Sequence, residues 1–221
     1  MLEPMDVFFD RRLDGYEAHQ LTAIASAQEF YPFTASLLPV QPGARILDLG
    51  CGTGLELDFY FPRNPTARVT GIDLAPGMLQ ALREKFAGRA LTVIQGSYFD
   101  VPLEAHSFDA AVSVESLHHF TLEEKIPLYR NVCQGLVPGG FLILTDYFAQ
   151  SEAEEAHFRQ ALLREKAAQG LSDSTLYHFD TPLTVEHEMQ ALREGGFPRL
   201  ELLGRWGATC TIRAYSGRGS L

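Results

Sequence analysis

From residue 44 onward, short apolar runs alternate with segments of helical periodicity. Ala44–Leu49, Ala67–Ile72, Leu91–Gln95, Phe108–Val114 and Gly139–Asp146 each have the length and composition of a buried strand. Helices are expected between and after them at Gly54–Phe61, Pro76–Phe86, Leu122–Leu136 and Glu152–Gln169. Pro76 suits a first helical turn, where its missing N–H costs little. Gly139-Gly140, after Pro138, ends one helix and opens the fifth strand. Such alternation predicts a parallel sheet covered by helices.

The tail breaks the rhythm. A helix over Val185–Glu194 stops at Gly195-Gly196, and two strand-like runs follow, Leu200–Arg205 and Thr209–Tyr215, with Gly207 between them. Strands that close cannot be joined by a crossover, so they are expected to be antiparallel. Residues 1–43 predict two helices, Glu3–Arg12 and Tyr16–Leu37, forming an N-terminal helical cap. Residues 44–221 then form the main domain, with a helical lid insertion at about 147–184. The cap aromatics Phe8, Phe9, Phe30, Tyr31 and Phe33 are expected to pack, while Tyr16 stands out as a binding residue.

Composition narrows the choice. A chain of 221 residues, 46% hydrophobic and 21% charged, suits one globular α/β domain. Its net charge of −10 disfavours a nucleic-acid partner, because binding a phosphate backbone needs a basic face. The charged first twenty residues do not read as a signal peptide, and no uncharged apolar run approaches about eighteen residues, so neither export nor membrane insertion is expected. Three distant cysteines without a CxxC pair fit a reduced, cytoplasmic setting rather than disulfides or zinc.

Arg45-Ile46-Leu47-Asp48-Leu49-Gly50-Cys51-Gly52-Thr53-Gly54 carries the chemistry: an apolar strand runs into alternate glycines and then a helix. Glycines there let a ligand approach the backbone, and N–H groups with a helix N-terminus would face it. The spacing is G-x-G-x-G, not the G-x-G-x-x-G of dinucleotide dehydrogenases. Asp48 before the loop would repel a pyrophosphate but suits a ligand carrying ammonium and sulfonium charge. Asp73, nineteen residues after Gly54 and ending the second strand, can hold two ribose hydroxyls.

Residues 44 to about 146 resemble the class I S-adenosylmethionine-dependent methyltransferases. The resemblance implies an α/β fold, a Rossmann-like seven-stranded mixed sheet with helices on both faces and a C-terminal antiparallel hairpin. It implies S-adenosyl-L-methionine as cofactor, its methionine part at Asp48, Gly50, Cys51, Gly52 and Gly54 and its ribose at Asp73. Leu74, Met78 and Tyr16 complete that wall. Ser97 stands where the family commonly has an acid near the adenine amino group, and Tyr98 can pack on the ring. At the end of the fourth strand, Glu115 and Ser116 would line the floor beneath the methyl group. Of the pair His118-His119, the second is expected to brace the loop. His118 is the candidate catalytic residue, a neutral imidazole able to take a proton near pH 7. No third ligand stands at metal-site spacing from the pair, so no metal is expected. Leu136-Val137-Pro138-Gly139-Gly140 resembles the family's entry to strand five.

The expected function is methyl transfer to a small molecule, with specificity in residues 1–43 and 147–184. The aromatic stretch Leu176–Pro182 is placed either to close over a pocket or to pack on the sheet edge. Leu183–Met189 and Leu192–Phe197 are similar to carboxy-S-adenosylmethionine synthases, in which a cation must meet the extra carboxylate; Arg205 and Arg213 are the candidates. A non-catalytic cofactor-binding module and an NAD-dependent oxidoreductase are the remaining alternatives. The N-terminal helices suit a homodimer contact as well as a cap.

Overall fold

The computed structural model describes residues 1–172 and 175–217. The five apolar runs become β1 (Arg45–Leu49), β2 (Arg68–Asp73), β3 (Ala90–Gln95), β4 (Phe108–Val114) and β5 (Leu136–Tyr147), and the tail supplies β6 (Arg199–Trp206) and β7 (Thr209–Tyr215). All seven share one sheet in the order β3-β2-β1-β4-β5-β7-β6. The first five pair in parallel, whereas β7 runs antiparallel to both β5 and β6. The order reverses between β1 and β4, and a crevice at the carboxyl ends of such strands is where an open α/β sheet binds ligands.

Both faces of the central strands are covered, which is why they read as mainly apolar runs rather than alternating ones. Leu47, Leu49, Ala111, Leu142 and Leu144 face one core, shared with Leu128, Val132 and Leu192. Ile46, Val69, Ala110, Val112 and Ile143 face the other, shared with Phe30, Leu57 and Leu82.

The covering helices are α1 (Met5–Asp10), α2 (Tyr16–Ala23), α3 (Ala27–Ser36), α4 (Leu55–Tyr60), α5 (Pro76–Lys85), α6 (Leu122–Gly135), α7 (Glu152–Gln169) and α8 (Val185–Glu194). Pro76 opens α5 as expected. A capping box starts α6, with the Thr121 hydroxyl accepting from Glu124 N–H and the Glu124 carboxylate accepting from Thr121 N–H. A buried ion pair, Lys125 Nζ to Glu188 Oε2 at 2.5 Å, ties α6 to α8, and Tyr129 donates to the same carboxylate.

Two expectations are corrected. The helix expected over Tyr16–Leu37 divides, because Ile24 is extended (φ −81°, ψ 121°) and Ser26 sits at φ 60°. The fifth strand starts at Leu136 rather than Gly139, since Leu136 already pairs with Phe108 ahead of a register shift.

The N-terminal segment and the stretch after α7 are stitched together over the carboxyl edge of the sheet. Met5 N–H donates to Leu176 O (2.9 Å) and His178 N–H to Glu3 O (3.0 Å). Phe8 stacks on His178 with ring centroids 3.5 Å apart, and Gly77 N–H donates to Asp10 Oδ1 at 2.8 Å.

Candidate active site

The glycine loop leaves β1 through Gly50 at φ 69°, where a Cβ would lie 1.9 Å from Ser116 Oγ. Gly52 also has positive φ, 46°, but an added Cβ there meets nothing within 4 Å. The loop spends its N–H groups internally: Gly50 and Cys51 donate to Ile72 O (2.9 and 3.3 Å), Gly54 to Cys51 O (2.7 Å), and Gly52 to Asp73 Oδ2 (2.9 Å). Asp73 Oδ1 accepts from Ala75 N–H at 2.9 Å, so one carboxylate holds both the loop and the entry to α5. Burial raises its pKa and these N–H donors oppose the rise.

A cavity opens beside Gly52. Ten of the expected cofactor residues line it: Tyr16, Gly50, Gly52, Asp73, Leu74, Met78, Ser97, Tyr98, Glu115 and Ser116. Met5, Phe120 and Leu176 add apolar wall. Tyr98 is buried, its hydroxyl 3.3 Å from Ser116 O, and Ser97 Oγ accepts from Phe99 N–H at 3.2 Å. The lining carries the carboxyls of Asp73 and Glu115 and no Lys or Arg among the described residues. That balance fits a sulfonium and an ammonium and disfavours a pyrophosphate, and the open face of Gly52 leaves room for a ligand against the loop.

Three expected residues turn away. Cys51 Sγ packs back towards Gly71, Gly54 sits against Leu82 and Phe86, and Asp48 is buried beneath the loop. Asp48 Oδ2 and Glu56 Oε1 are both buried without a partner; burial and then the Glu56 charge raise Asp48, and burial raises Glu56. Two such carboxyls cannot both ionise. The negative wall of the cavity is therefore supplied by Asp73 and Glu115, not by Asp48. The expectation that loop N–H groups face the ligand also fails for Gly50, Cys51, Gly52 and Gly54, whose donors are already used.

A second, larger cleft of about 950 Å³ adjoins the first. Phe8, Tyr147, Trp206, His178, Arg11 and Arg12 are among its walls. Phe9, Tyr16, Glu115 and His119 line both spaces. Glu115 occupies the junction at φ 49°, a left-handed conformation that a glutamate adopts only under constraint. Its N–H donates to Thr145 O (2.9 Å), and Oε1 accepts from Thr209 Oγ1 (3.2 Å). Burial, then repulsion from Asp146, pushes its carboxyl up to about 7.

His118 and His119 form a 3-10 turn, Leu117–His119, directly after β4. Asp146, near the end of β5, fixes the first imidazole: Oδ2 accepts from Leu117 N–H (2.8 Å), while Oδ1 accepts from Tyr147 N–H (2.9 Å) and lies 2.6 Å from His118 Nδ1. Nε2 of His118 is thereby turned towards Asp180 Oδ1, 3.5 Å away. His119 Nδ1 stands 3.2 Å from the same oxygen and 3.2 Å from Phe179 O, so it does brace the neighbouring loop. Burial pulls His118 down, but Asp146 and Asp180 override it and push it up to about 10. That direction runs against the neutral imidazole expected of a general base. Burial and the neighbouring His118 charge lower His119, and burial followed by His119 lowers His178 to about 4.

Asp146 and Asp180 escaped the sequence reading. An acid at the carboxyl end of a parallel strand signals Asp146, whereas Asp180 has no local signal beyond its place in the aromatic stretch 176–182. That stretch contributes Leu176 to the cavity beside the glycine loop and His178 and Asp180 to the cleft. Arg205 and Arg213 line neither space; among the described residues, Arg11 and Arg12 are the guanidinium groups that do.

A family model described as "Methyltransferase domain" matches residues 46–140. A carboxy-S-adenosyl-L-methionine synthase of Trichodesmium erythraeum is 30% identical over 183 residues, 74% of this chain and 69% of that protein. The erythromycin 3''-O-methyltransferase of Saccharopolyspora erythraea is 28% identical over 180 residues, 79% of this chain and 57% of that one. Among solved structures, a SAM-dependent methyltransferase from Thermotoga maritima superposes with a TM-score of 0.67 at 21% identity, covering 96% of this chain and 99% of its own. The chain spans between 24% and 57% of the length of several other curated relatives it matches. No described helix is long and apolar enough to cross a membrane. With its glycine loop, its seven-stranded order and a relative matched over two thirds of its length, the chain belongs to the class I S-adenosylmethionine-dependent methyltransferases.

Proposed function

We propose that the chain transfers the sulfonium methyl of S-adenosylmethionine to a nucleophilic atom of a small molecule seated in the larger cleft. The observation that carries this reading is the shared wall: Phe9, Tyr16, Glu115 and His119 bound both spaces, so an acceptor in the cleft meets the cofactor pocket directly. The cofactor supplies an activated methyl group for in-line displacement. The protein's part is to hold the acceptor in line and exclude water, which the aromatic walls and the docked α1 do. His118, fixed by Asp146 and facing the cleft through Nε2, is the residue assigned to the acceptor side.

A small acceptor suits a cleft of about 950 Å³ in a chain of net charge −10. The relative named for O-methylation of erythromycin supports the same class of acceptor. A second reading, synthesis of a carboxylated cofactor, is favoured by the 30% identical synthase and would draw its cation from Arg11 or Arg12. The test incubates the protein and S-adenosylmethionine with a metabolite extract, with RNA and with denatured protein. S-adenosylhomocysteine release in the metabolite arm alone supports the proposal. A carboxylated cofactor detected by mass spectrometry selects the second reading, and release with RNA or protein overturns the acceptor class.

A further inference from the structure

We propose that His118, His119 and Asp180 form a site for a divalent first-row transition-metal ion on the wall of the acceptor cleft. Their ligand atoms lie within 4.8 Å of one another. Asp180 Oδ1 is 3.5 Å from His118 Nε2 and 3.2 Å from His119 Nδ1. Metal–ligand bonds of about 2.1 Å separate adjacent ligand atoms by about 3.0–3.4 Å, in tetrahedral or octahedral order. Two edges of the triangle stand near coordination spacing, and an ion bound there would replace the ring proton that His119 Nδ1 directs at Phe179 O.

The surroundings are those of a metal site. A ligating histidine commonly gives its other ring N–H to a carboxylate, which fixes the tautomer and aims the free lone pair. Asp146 does this for His118 at 2.6 Å and is itself anchored by the N–H groups of Leu117 and Tyr147. Glu115, within ligand reach of His118 and Asp146, adds negative charge beside the site. The Asp180 side chain is 45% exposed, so an ion can enter from the cleft. Two imidazole nitrogens and one carboxylate oxygen leave further coordination positions open, as in a two-histidine, one-carboxylate triad.

His118, His119 and Asp180 all line the acceptor cleft, and in that respect the inference rests on the function proposed above. A hydroxyl acceptor bound there releases its proton to solvent more readily. Its oxygen then forms the new bond to the methyl carbon as the sulfur–methyl bond breaks, leaving a neutral thioether. His118, His119 and Asp180 would hold the ion, which would supply Lewis-acid activation of the acceptor oxygen.

The test uses untagged full-length protein, stripped with chelator and titrated with Co²⁺ and then Zn²⁺ alone. The expected result is one Co²⁺ per chain with a visible d–d band, displaced by Zn²⁺. Asp180→Ala and His119→Ala should each weaken Co²⁺ binding by more than about tenfold, and Asp146→Asn by about 10- to 100-fold. Asp180→Asn, which keeps the side-chain volume, separates loss of a ligand from loss of fold, and an unchanged circular dichroism spectrum with cooperative urea unfolding confirms that each variant is folded. Absence of saturable binding of either ion, or binding that persists in both the Asp180 and His119 variants, overturns the site. If Co²⁺ binds as expected while the wild-type protein fails to bind S-adenosylhomocysteine, the methyltransferase reading fails and the metal site stands.

Discussion

Gly50 and Gly52 lie two residues apart in one loop, both at positive φ, yet the structure assigns them different tasks. At Gly50 a methyl group would sit 1.9 Å from Ser116 Oγ and 2.6 Å from its Cβ, on the buried side of the loop. Gly50→Ala should therefore cost about 1–3 kcal/mol for overpacking. A further cost of about 1–2 kcal/mol comes from placing a Cβ at φ 69°. At Gly52 nothing lies within 4 Å, so Gly52→Ala should cost only the conformational part, about 1–2 kcal/mol. Gly52 and Asp73 line the same cavity, so the added methyl group is expected to take space from a ligand bound there. Affinity for S-adenosylhomocysteine should then fall by at least about tenfold, equivalent to about 1.4 kcal/mol. Urea unfolding ranks the two variants by stability, and calorimetric titration of the folded Gly52 variant reads affinity. The reasoning is refuted if Gly52→Ala binds the ligand as tightly as the wild type, or if Gly50→Ala is no less stable than Gly52→Ala.

Two further outcomes follow from the packing. Glu188→Ala leaves the Lys125 ammonium buried between α6 and α8 without its counter-ion, and should lower unfolding free energy by about 3–5 kcal/mol in chemical denaturation; a loss within the range of an exposed pair would contradict this. Asp109 accepts from Arg45 N–H and Nη2, each at 2.8 Å, and the Arg45 hydrogen bond holds its carboxyl below the usual range. Because the folded value is the lower one, this stabilisation is present above the unfolded carboxylate value of about 4 and disappears as pH falls through the folded value. Asp109→Asn should shrink the difference between urea midpoints at about pH 6 and about pH 3. The partly exposed pair limits the change to below about 1 kcal/mol.

The strands of the sheet were legible because two-sided burial forces mainly apolar runs such as Arg45–Leu49 and Phe108–Val114, and two strands separated only by Gly207-Ala208 admit no crossover. The lining of the cavity beside the glycine loop was legible where position on the fold dictates exposure, as at Gly52, Asp73 and Ser97. It was not legible at Asp48, Cys51 and Gly54, because a loop's spacing says nothing about which way a side chain turns once its N–H groups bond internally. The partners of His118 were hidden by distance along the chain. Asp146 and Asp180 arrive from a neighbouring strand and from a loop after α7, and tertiary packing alone joins them to the 3-10 turn. The break at Ile24–Ser26 was missed because those residues carry no proline or glycine to announce it.

The most direct test of the central claim is calorimetric titration of the purified protein with S-adenosylmethionine, S-adenosylhomocysteine and NADH, alongside an Asp73→Ala variant. Micromolar binding of the first two, about −8 kcal/mol, with none of NADH, is the expected result. Loss of about 100-fold in the variant should accompany it, since Asp73 both lines the pocket and holds Gly52 in place. Binding of NADH without the sulfonium ligands, or a variant that binds as the wild type does, would contradict the account.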